Sequence, residues 1–490
     1  MSIKTTDIPL EVRQVAKTLE DKGFEAYIVG GCTRDLMLGN VPKDWDLTTN
    51  AHPEQIQALF PDHYANNDFG TVGIKTESED ETLKVIEVTP YRTESGYSDA
   101  RRPDKVEFGV SLEEDLKRRD FTVNALAFRP ETGTMVDLFG GEEDLRAKRL
   151  KAVGNPSERF AEDALRMMRA VRLAAELGFV IDSDTMSAIK ENSQQLSRIS
   201  IERIAAEFLR TVNSPAPMQG IVFMEKLGLL EQFLPELRLG IGVEQGGIHV
   251  YDVFEHLLYT MQAAADKGFS LELRLAALFH DIGKPQTRRT GGKNKQYTFF
   301  GHEVVGAKMT ENILKRLRLP RELTENVTRL VRWHMFFADP DQITLSAVRR
   351  TITRVGKDHI EDLLNLRVCD RIGMGRPKEQ PFRFRKYKAM VDEALRDPIS
   401  VKMLKITGDK IMEISGEKPG KRIGYVLHAL LEEVLDDSTK NTPEYLENRA
   451  LELLKLPETK LLKLAEAGKE KQAAEEAAAL KDIKREHHVT

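Results

Sequence analysis

Apolar residues recur at helical spacing from Val12 to Leu19, then give way to an unbroken apolar run, Ala26 to Val29, that stops at Gly30-Gly31. The first pattern predicts a helix, the second a strand, and the glycine pair a tight turn. Further strand-like runs at Val72 to Ile74, Leu83 to Pro90, Val106 to Phe108 and Ala125 to Phe128 make residues 1–150 a small α/β head. From Asn155 the period changes, and EDALRMMRAVRLAAELGF, IERIAAEFLR and MQGIVFMEKLGLLEQFL read as amphipathic helices with prolines only between them. That predicts an all-α neck over 151–240. A third block over 241–375 and a last one over 376–490 are helical as well, and the chain ends in a Lys/Glu/Ala-rich tail read as a frayed, exposed helix. There is no internal repeat.

Composition narrows the class. With 490 residues, 41% hydrophobic and 31% charged, the chain can bury several cores and fill about three domains. No stretch of eighteen apolar residues occurs and the opening MSIKTTDIPLEVRQ has no apolar core, so the expectation is a cytoplasmic protein with no membrane span. Two cysteines, Cys32 and Cys369, are too few for a disulfide scaffold or a thiolate zinc site and read as reduced packing residues. A net charge of −5 means that any nucleic-acid contact must come from local basic clusters. Arg101 with Arg102, Arg118 with Arg119, and Arg166, Arg169 and Arg172 supply them within one third of the chain.

Candidate chemistry begins at VGGCTRDLMLGNVPKDWDL. Gly30 and Gly31 let backbone N–H groups approach a phosphate, and Arg34 and Lys43 can neutralise a triphosphate. In Asp44-Trp45-Asp46, alternate strand residues point to one face, so two carboxylates can share divalent metals, as phosphoryl transfer requires. An ordinary exposed turn also produces D-x-D; the nearby glycine turn and arginine are what favour the catalytic reading. This unit resembles the active-site signature of the nucleotidyltransferase superfamily that includes DNA polymerase beta. The resemblance implies Mg²⁺ on Asp44 and Asp46 and a third carboxylate on a neighbouring strand, for which Glu87 in VIEVTPYR is the candidate.

The blocks YRTESGYSDARRPDKVEF, KRRDFTVNALAF, DLFGGEEDL and ERFAEDALRMMRAVRLAAELGF follow in the order found in class II CCA-adding enzymes and bacterial poly(A) polymerases. Together with the glycine turn and D-x-D they resemble that family over about 150 residues. The resemblance implies that Arg119, Asp120 and Asn124 line the nucleotide site, with Asp120 toward the ribose, and that Tyr91 to Pro103 forms the loop of the A-adding members.

Asp163, Arg166, Arg169 and Arg172 recur every third residue, which on a helix gives a stripe drifting by about 60° per step. A salt-bridged surface is the ordinary meaning of such a stripe. The pair Asp163 and Arg166 nonetheless fits cytosine and adenine, which both offer an amino donor beside a ring-nitrogen acceptor. The carboxylate accepts from the amine and the guanidinium donates to the ring nitrogen. Uracil and guanine present the reverse order and would leave polar groups unpaired at roughly 1–3 kcal/mol each. Glu162 to Arg166 resembles the family's EDxxR base-reading block, which implies phosphate or base contacts for Arg169 and Arg172.

Six of the eleven histidines fall within about 245–375. His256, His280, Asp281, His302, His334 and Asp370 form a set of imidazoles and carboxylates suited to one or two divalent transition metals and to activating a water. The segment containing LAALFHDIGKP resembles the HD phosphohydrolase superfamily. The stretch ITGDKIMEISGEKPGKRIGYVLHALLEEVLDD resembles the C-terminal region of HD-containing family members, and its glycines and lysines could either pack a helix end against an RNA backbone, as in an RNA-binding body, or simply join helices. The combined expectation is a DNA polymerase beta-like α/β nucleotidyltransferase head followed by all-α neck, HD and C-terminal domains. Its partners would be tRNA, ATP and CTP, and its cofactors Mg²⁺ and a transition metal in the HD block. A poly(A) polymerase shares every transferase motif, and a metal-dependent phosphohydrolase with an RNA-binding head is the rival from another class.

Overall fold

The structure is a computed structural model that describes residues 3–66, 70–95, 105–246, 250–291, 296–336, 343–375, 379–395 and 401–464. Most of the expected Tyr91 to Pro103 loop and the whole tail from Lys469 lie outside these residues. The contacts divide the chain into two compact units, Met1–Arg238 and Leu239–Thr490.

In the first unit, α1 (Leu10–Glu20) buries Val12, Val15, Ala16 and Leu19 as one stripe. It leads into β1 (Ala26–Val29), whose four residues are all buried. Next come α2 (Gly31–Met37), β2 (Asp46–Thr49), α3 (Pro53–Leu59), β3 (His63–Asn66), β4 (Thr71–Lys75) and β5 (Val85–Pro90). A hairpin of β6 (Arg92–Ser95) and β7 (Lys105–Phe108) follows, then α4 (Leu112–Lys117), β8 (Leu126–Arg129), β9 (Thr134–Asp137) and α5 (Gly141–Arg146). One seven-stranded sheet runs in the order β3-β4-β5-β2-β1-β8-β9, with β2 and β5 parallel and the other neighbours antiparallel. The predicted strand at Val106 to Phe108 exists, but it pairs only with β6, outside this sheet. Helix α4 starts where the sequence says it should. Ser111 accepts from the Glu114 N–H, and the Glu114 carboxylate accepts in return from the Ser111 N–H. Its Leu116 packs with Tyr27, Val29, Tyr91 and Ala127 over one face of the sheet.

The neck holds a two-stranded bridge of β10 (Arg149–Leu150) with β11 (Val180–Ile181), and helices α6 (Pro156–Glu162), α7 (Leu165–Leu177), α8 (Ser183–Asn192) and α9 (Ile201–Val212). Helices α10, α11 and α12 (Pro217–Lys226, Leu230–Phe233 and Pro235–Arg238) complete it. The predicted continuous helix through Glu162 to Gly178 is instead broken. Asp163 is extended at φ −141° and ψ 103°, ending α6, and α7 begins two residues later.

The second unit is built from α13 (Val253–Asp266), α14 (Leu271–Phe279), α15 (Lys284–Thr287), the hairpin of β12 (Arg289–Gly291) and β13 (Gln296–Thr298), α16 (His302–Arg316), α17 (Arg321–Trp333), α18 (Leu345–Val355) and α19 (Ile360–Gly373). Then come α20 (Phe382–Ala394), α21 (Gly408–Ser415), α22 (Lys421–Asp436) and α23 (Pro443–Leu454). The last three share a core around Ile411, Val426, Leu430, Leu446 and Leu453. Among the described residues no helix is long and apolar enough to cross a membrane.

Candidate functional site

The first centre lies at the start of β2. Parallel pairing sets Asp46 directly opposite Glu87, and the pleat turns both side chains to the same face. The backbone of Gly30, at φ +79°, passes beside them. A Cβ there would stand 3.6 Å from Asp46 Oδ2 and 3.3 Å from Arg119 Nη1, so glycine keeps the carboxylate accessible as well as permitting the turn. Burial pushes the Asp46 carboxyl up to about 7, and Asp44 and then Glu87 add to the rise against the pull of Arg119. Glu87 is raised by desolvation and by Asp44. Three carboxyls that repel one another with oxygen atoms as donors fit a hard divalent cation. Asp44 and Lys43 are exposed on the approach to this site.

A chain of polar contacts surrounds it. Arg34, on α2 directly after the Gly30-Gly31 turn, donates from Nη1 to Asn124 Oδ1 at 2.8 Å, and Asn124 donates to Asp120 Oδ1 at 3.1 Å. Asp120 Oδ2 accepts from Arg169 at 2.7 and 2.9 Å. Burial alone would push the Asp120 carboxyl up, but Arg169, the Asn124 amide and Arg166 together hold it at about 2. Four of the sequence-predicted residues therefore form one network that joins head to neck.

Two residues that the motifs did not single out support it. Asp115, fully buried, accepts from Arg118 at 2.6 and 3.0 Å and from Arg119 at 3.3 Å. The i,i+4 spacing of Asp115 and Arg119 was visible in EEDLKRRD and could have revealed the pair. Arg203, by contrast, reaches Asp163 at 2.7 and 3.4 Å across forty residues, and no local signal announces it.

At the neck, the extended conformation of Asp163 lets Oδ1 accept from the Leu165 N–H at 3.0 Å, starting α7. Arg166 is held by Glu162 and donates to the carbonyls of Arg118 at 3.0 Å and Arg159 at 3.1 Å. Arg172 departs from the expected stripe. It is 4% exposed and paired with Glu207 and Glu176 at 2.5 Å each, a buried ion-pair residue rather than one facing a nucleotide. The reason is geometric: two steps of three residues carry it about 120° from Arg166, onto the side that packs against α9.

The second centre is helix-borne and buried. His256 on α13, His280 and Asp281 after α14, His302 opening α16, His334 closing α17 and Asp370 on α19 are each no more than 5% exposed. Their donor atoms converge in two sets, His256, His280 and Asp370, and Asp281, His302 and His334. Asp281 lies between the sets: Oδ2 is 3.3 Å from His256 Nε2 and 3.2 Å from His280 Nε2, and Oδ1 is 3.1 Å from His302 Nε2 and 3.5 Å from His334 Nε2. His280, His302 and His334 each set Nδ1 2.7–2.9 Å from a carbonyl three residues back, which fixes Nδ1 as donor and frees Nε2 as ligand. Burial would push His280 down, but Asp281 and Asp370 lift it to about 10, whereas burial takes His334 down to about 4. Lys284 at 2.6 Å from Asp281 and Arg367 at 2.6 Å from Asp370 hold the two carboxylates. Both lie three residues from the aspartate they serve, a spacing already present in HDIGK and RVCD. Four imidazoles and two carboxylates fit a borderline transition metal. Gly283 is part of the design: a Cβ there would lie 2.3 Å from the His302 carbonyl, so only glycine lets α16 bring His302 in.

Residues 26–151 match the model of the Poly A polymerase head domain, 178–239 that of the probable RNA and SrmB-binding site of polymerase A, and 253–371 that of the HD domain. The chain is 32% identical over 453 residues to a CCA-adding enzyme of Lactobacillus helveticus, covering 91% of this chain and 97% of that protein. It is 49% identical over 227 residues to a CCA-adding enzyme of Limosilactobacillus reuteri, a stretch that spans 46% of this chain and only 54% of that relative. The Bacillus stearothermophilus CCA-adding enzyme in complex with CTP superposes with a TM-score of 0.67 at 26% identity, covering 91% of this chain and 98% of that one.

Proposed function

We propose, from the premise that this chain belongs to the family of CCA-adding enzymes, that it adds C, C and A to tRNA 3′ ends from CTP and ATP without a nucleic-acid template. What carries the reading is the pairing of Asp46 with Glu87 beside the Gly30-Gly31 turn, in a head joined through Asp120 and Arg169 to the helix that bears Arg166. Magnesium on Asp44 and Asp46 would supply the charge that lowers the pKa of the attacking 3′-hydroxyl and stabilises the pyrophosphate leaving group. The chain's own residues do the rest. Gly30 and Gly31 present backbone to the triphosphate, Arg34, Lys43 and Arg119 offset its charge, Asp120 and Asn124 face the ribose, and Asp163 with Arg166 reads the base edge. Arg169 holds Asp120 in place. The test is incorporation by purified protein with Mg²⁺ of each of the four nucleotides onto tRNAs ending before C, CC and CCA. Addition of C, C and one A followed by a stop is the expected result. Long tracts of A alone would make the protein a poly(A) polymerase and overturn the reading.

The second centre supports a second activity, hydrolysis of phosphoesters at RNA ends by a water on a transition metal held by His256, His280, Asp281, His302, His334 and Asp370. The observation that favours it is the two converging ligand sets bridged by Asp281, an arrangement that a purely structural helical domain would not need.

A further inference from the structure

We infer that Arg203 is a specificity-determining positioning residue. It locks the Asp163 carboxylate as an acceptor, and so enforces the choice of cytosine and adenine over uracil and guanine. The inference rests on the base-reading role proposed above for Asp163 and Arg166.

Asp163 sits in the break between α6 and α7, outside either helix, so no helical packing fixes its side chain. Two partners fix it instead. The Leu165 N–H donates to Oδ1 at 3.0 Å, and Arg203 on the first turn of α9 donates from Nη2 to Oδ2 at 2.7 Å and from Nη1 to Oδ1 at 3.4 Å. An ionised carboxylate offers about four acceptor directions. Three are used here, and one is left for the exocyclic amine of a base. The guanidinium fork does what a single contact would not: it holds the carboxylate plane, because a forked donor fixes rotation about the Cβ–Cγ bond. A carboxylate oxygen held in that plane meets the amine of cytosine or adenine and repels the O4 of uracil and the O6 of guanine, whereas one free to swivel away loses that discrimination. Arg166 has a corresponding support in Glu162 and the Arg118 carbonyl, so each member of the reading pair is held by a residue that does not itself meet the base.

The test compares kcat/KM for CTP, ATP, UTP and GTP in the wild-type chain and in Arg203→Ala, Arg203→Gln and Arg203→Lys, using tRNA ending before C or before A. For Arg203→Ala the ratio of CTP to UTP should fall about 10- to 100-fold, the effect of removing a charged hydrogen-bond partner, with UTP and GTP use rising in absolute terms. Arg203→Gln, which keeps a shorter polar side chain without the charge, should fall similarly and replaces the alanine variant if that one does not fold. Arg203→Lys, which keeps the charge but loses the fork, should retain part of the discrimination. A merely structural role would slow all four nucleotides alike. Unchanged nucleotide ratios in both Arg203→Ala and Arg203→Gln, or in the folded one of the two, overturn the inference. A wild-type chain that fails to choose C and A at all would instead sink the proposed base reading itself.

Discussion

The two candidate centres use carboxylates in opposite ways. In the first, Asp44 comes from a loop, Asp46 from the start of β2 and Glu87 from within β5, burial and then the charge of Asp44 raise Asp46 and Glu87, and the arginines gathered around them belong to the groups that would meet substrate. In the second, Asp281 and Asp370 are buried among four histidines, and the positive groups nearby pull both carboxyls well below the usual range. Carboxylates that burial and mutual repulsion raise are what a hard cation would relieve. A buried imidazole set with Asp281 and Asp370 already paired with Lys284 and Arg367 offers softer donors whose charge is already offset. The two centres thus differ in donor chemistry and in how their carboxylate charge is balanced.

If the comparison holds, the centres should fail separately. The largest effect is expected for Asp46→Asn, which should lower nucleotide addition by roughly 10³-fold or more, since the metal's charge stabilisation amounts to several kcal/mol. Metal bound at the histidine centre, measured by mass spectrometry, should be unchanged. Loss of both would show that the two sites are coupled. Next is His280→Ala, for which the metal held with His256 and Asp370 should be lost while addition of C and A stays within about twofold. A metal content per chain unchanged from that of the wild type would contradict the ligand assignment. Asp115→Ala should destabilise the first unit by about 3–5 kcal/mol, because Arg118 and Arg119 would be left beside an empty buried site. A thermal melt with no shift in that unit would mean that the arginines find other partners.

The smallest effect concerns acid. Asp120 is held at about 2 when folded, below the roughly 3.9 of an unfolded aspartate, so its contribution is present above about pH 4 and is lost as pH falls toward 2. It amounts to about 2–3 kcal/mol. Unfolding free energies of the wild-type chain and Asp120→Asn should therefore converge between pH 4 and 2, and parallel curves would show that Asp120 is not the group responsible.

Several features were legible without coordinates. The strand Ala26 to Val29 has the bounds that its apolar run implied, because a four-residue run ending in two glycines has no other register to adopt. The six residues of the histidine centre were named as one set because an adjacent His-Asp pair with four ordered partners resembles the HD superfamily, and their donor atoms do converge. Other features were not. The stripe from Asp163 to Arg172 assumed one helix, and the break at Asp163 together with the helical drift sent Arg172 into an ion pair with Glu207 instead. Val106 to Phe108 is a strand as its pattern said, but nothing in that pattern tells which sheet it joins.

The sequence by itself determined which residues carry charge, which can turn, and in what order the chemistry-bearing blocks occur. These depend on side-chain identity and on periods of two or three to four residues, which are local. Only the tertiary structure decided that Asp46 stands opposite Glu87, that Asp281 lies between two pairs of histidines, and that Arg203 holds Asp163. Each of those arrangements joins segments about twenty to fifty residues apart that no local period connects. They exist because burial of apolar faces brings the segments together, and a charged group carried along must find a partner there or cost several kcal/mol.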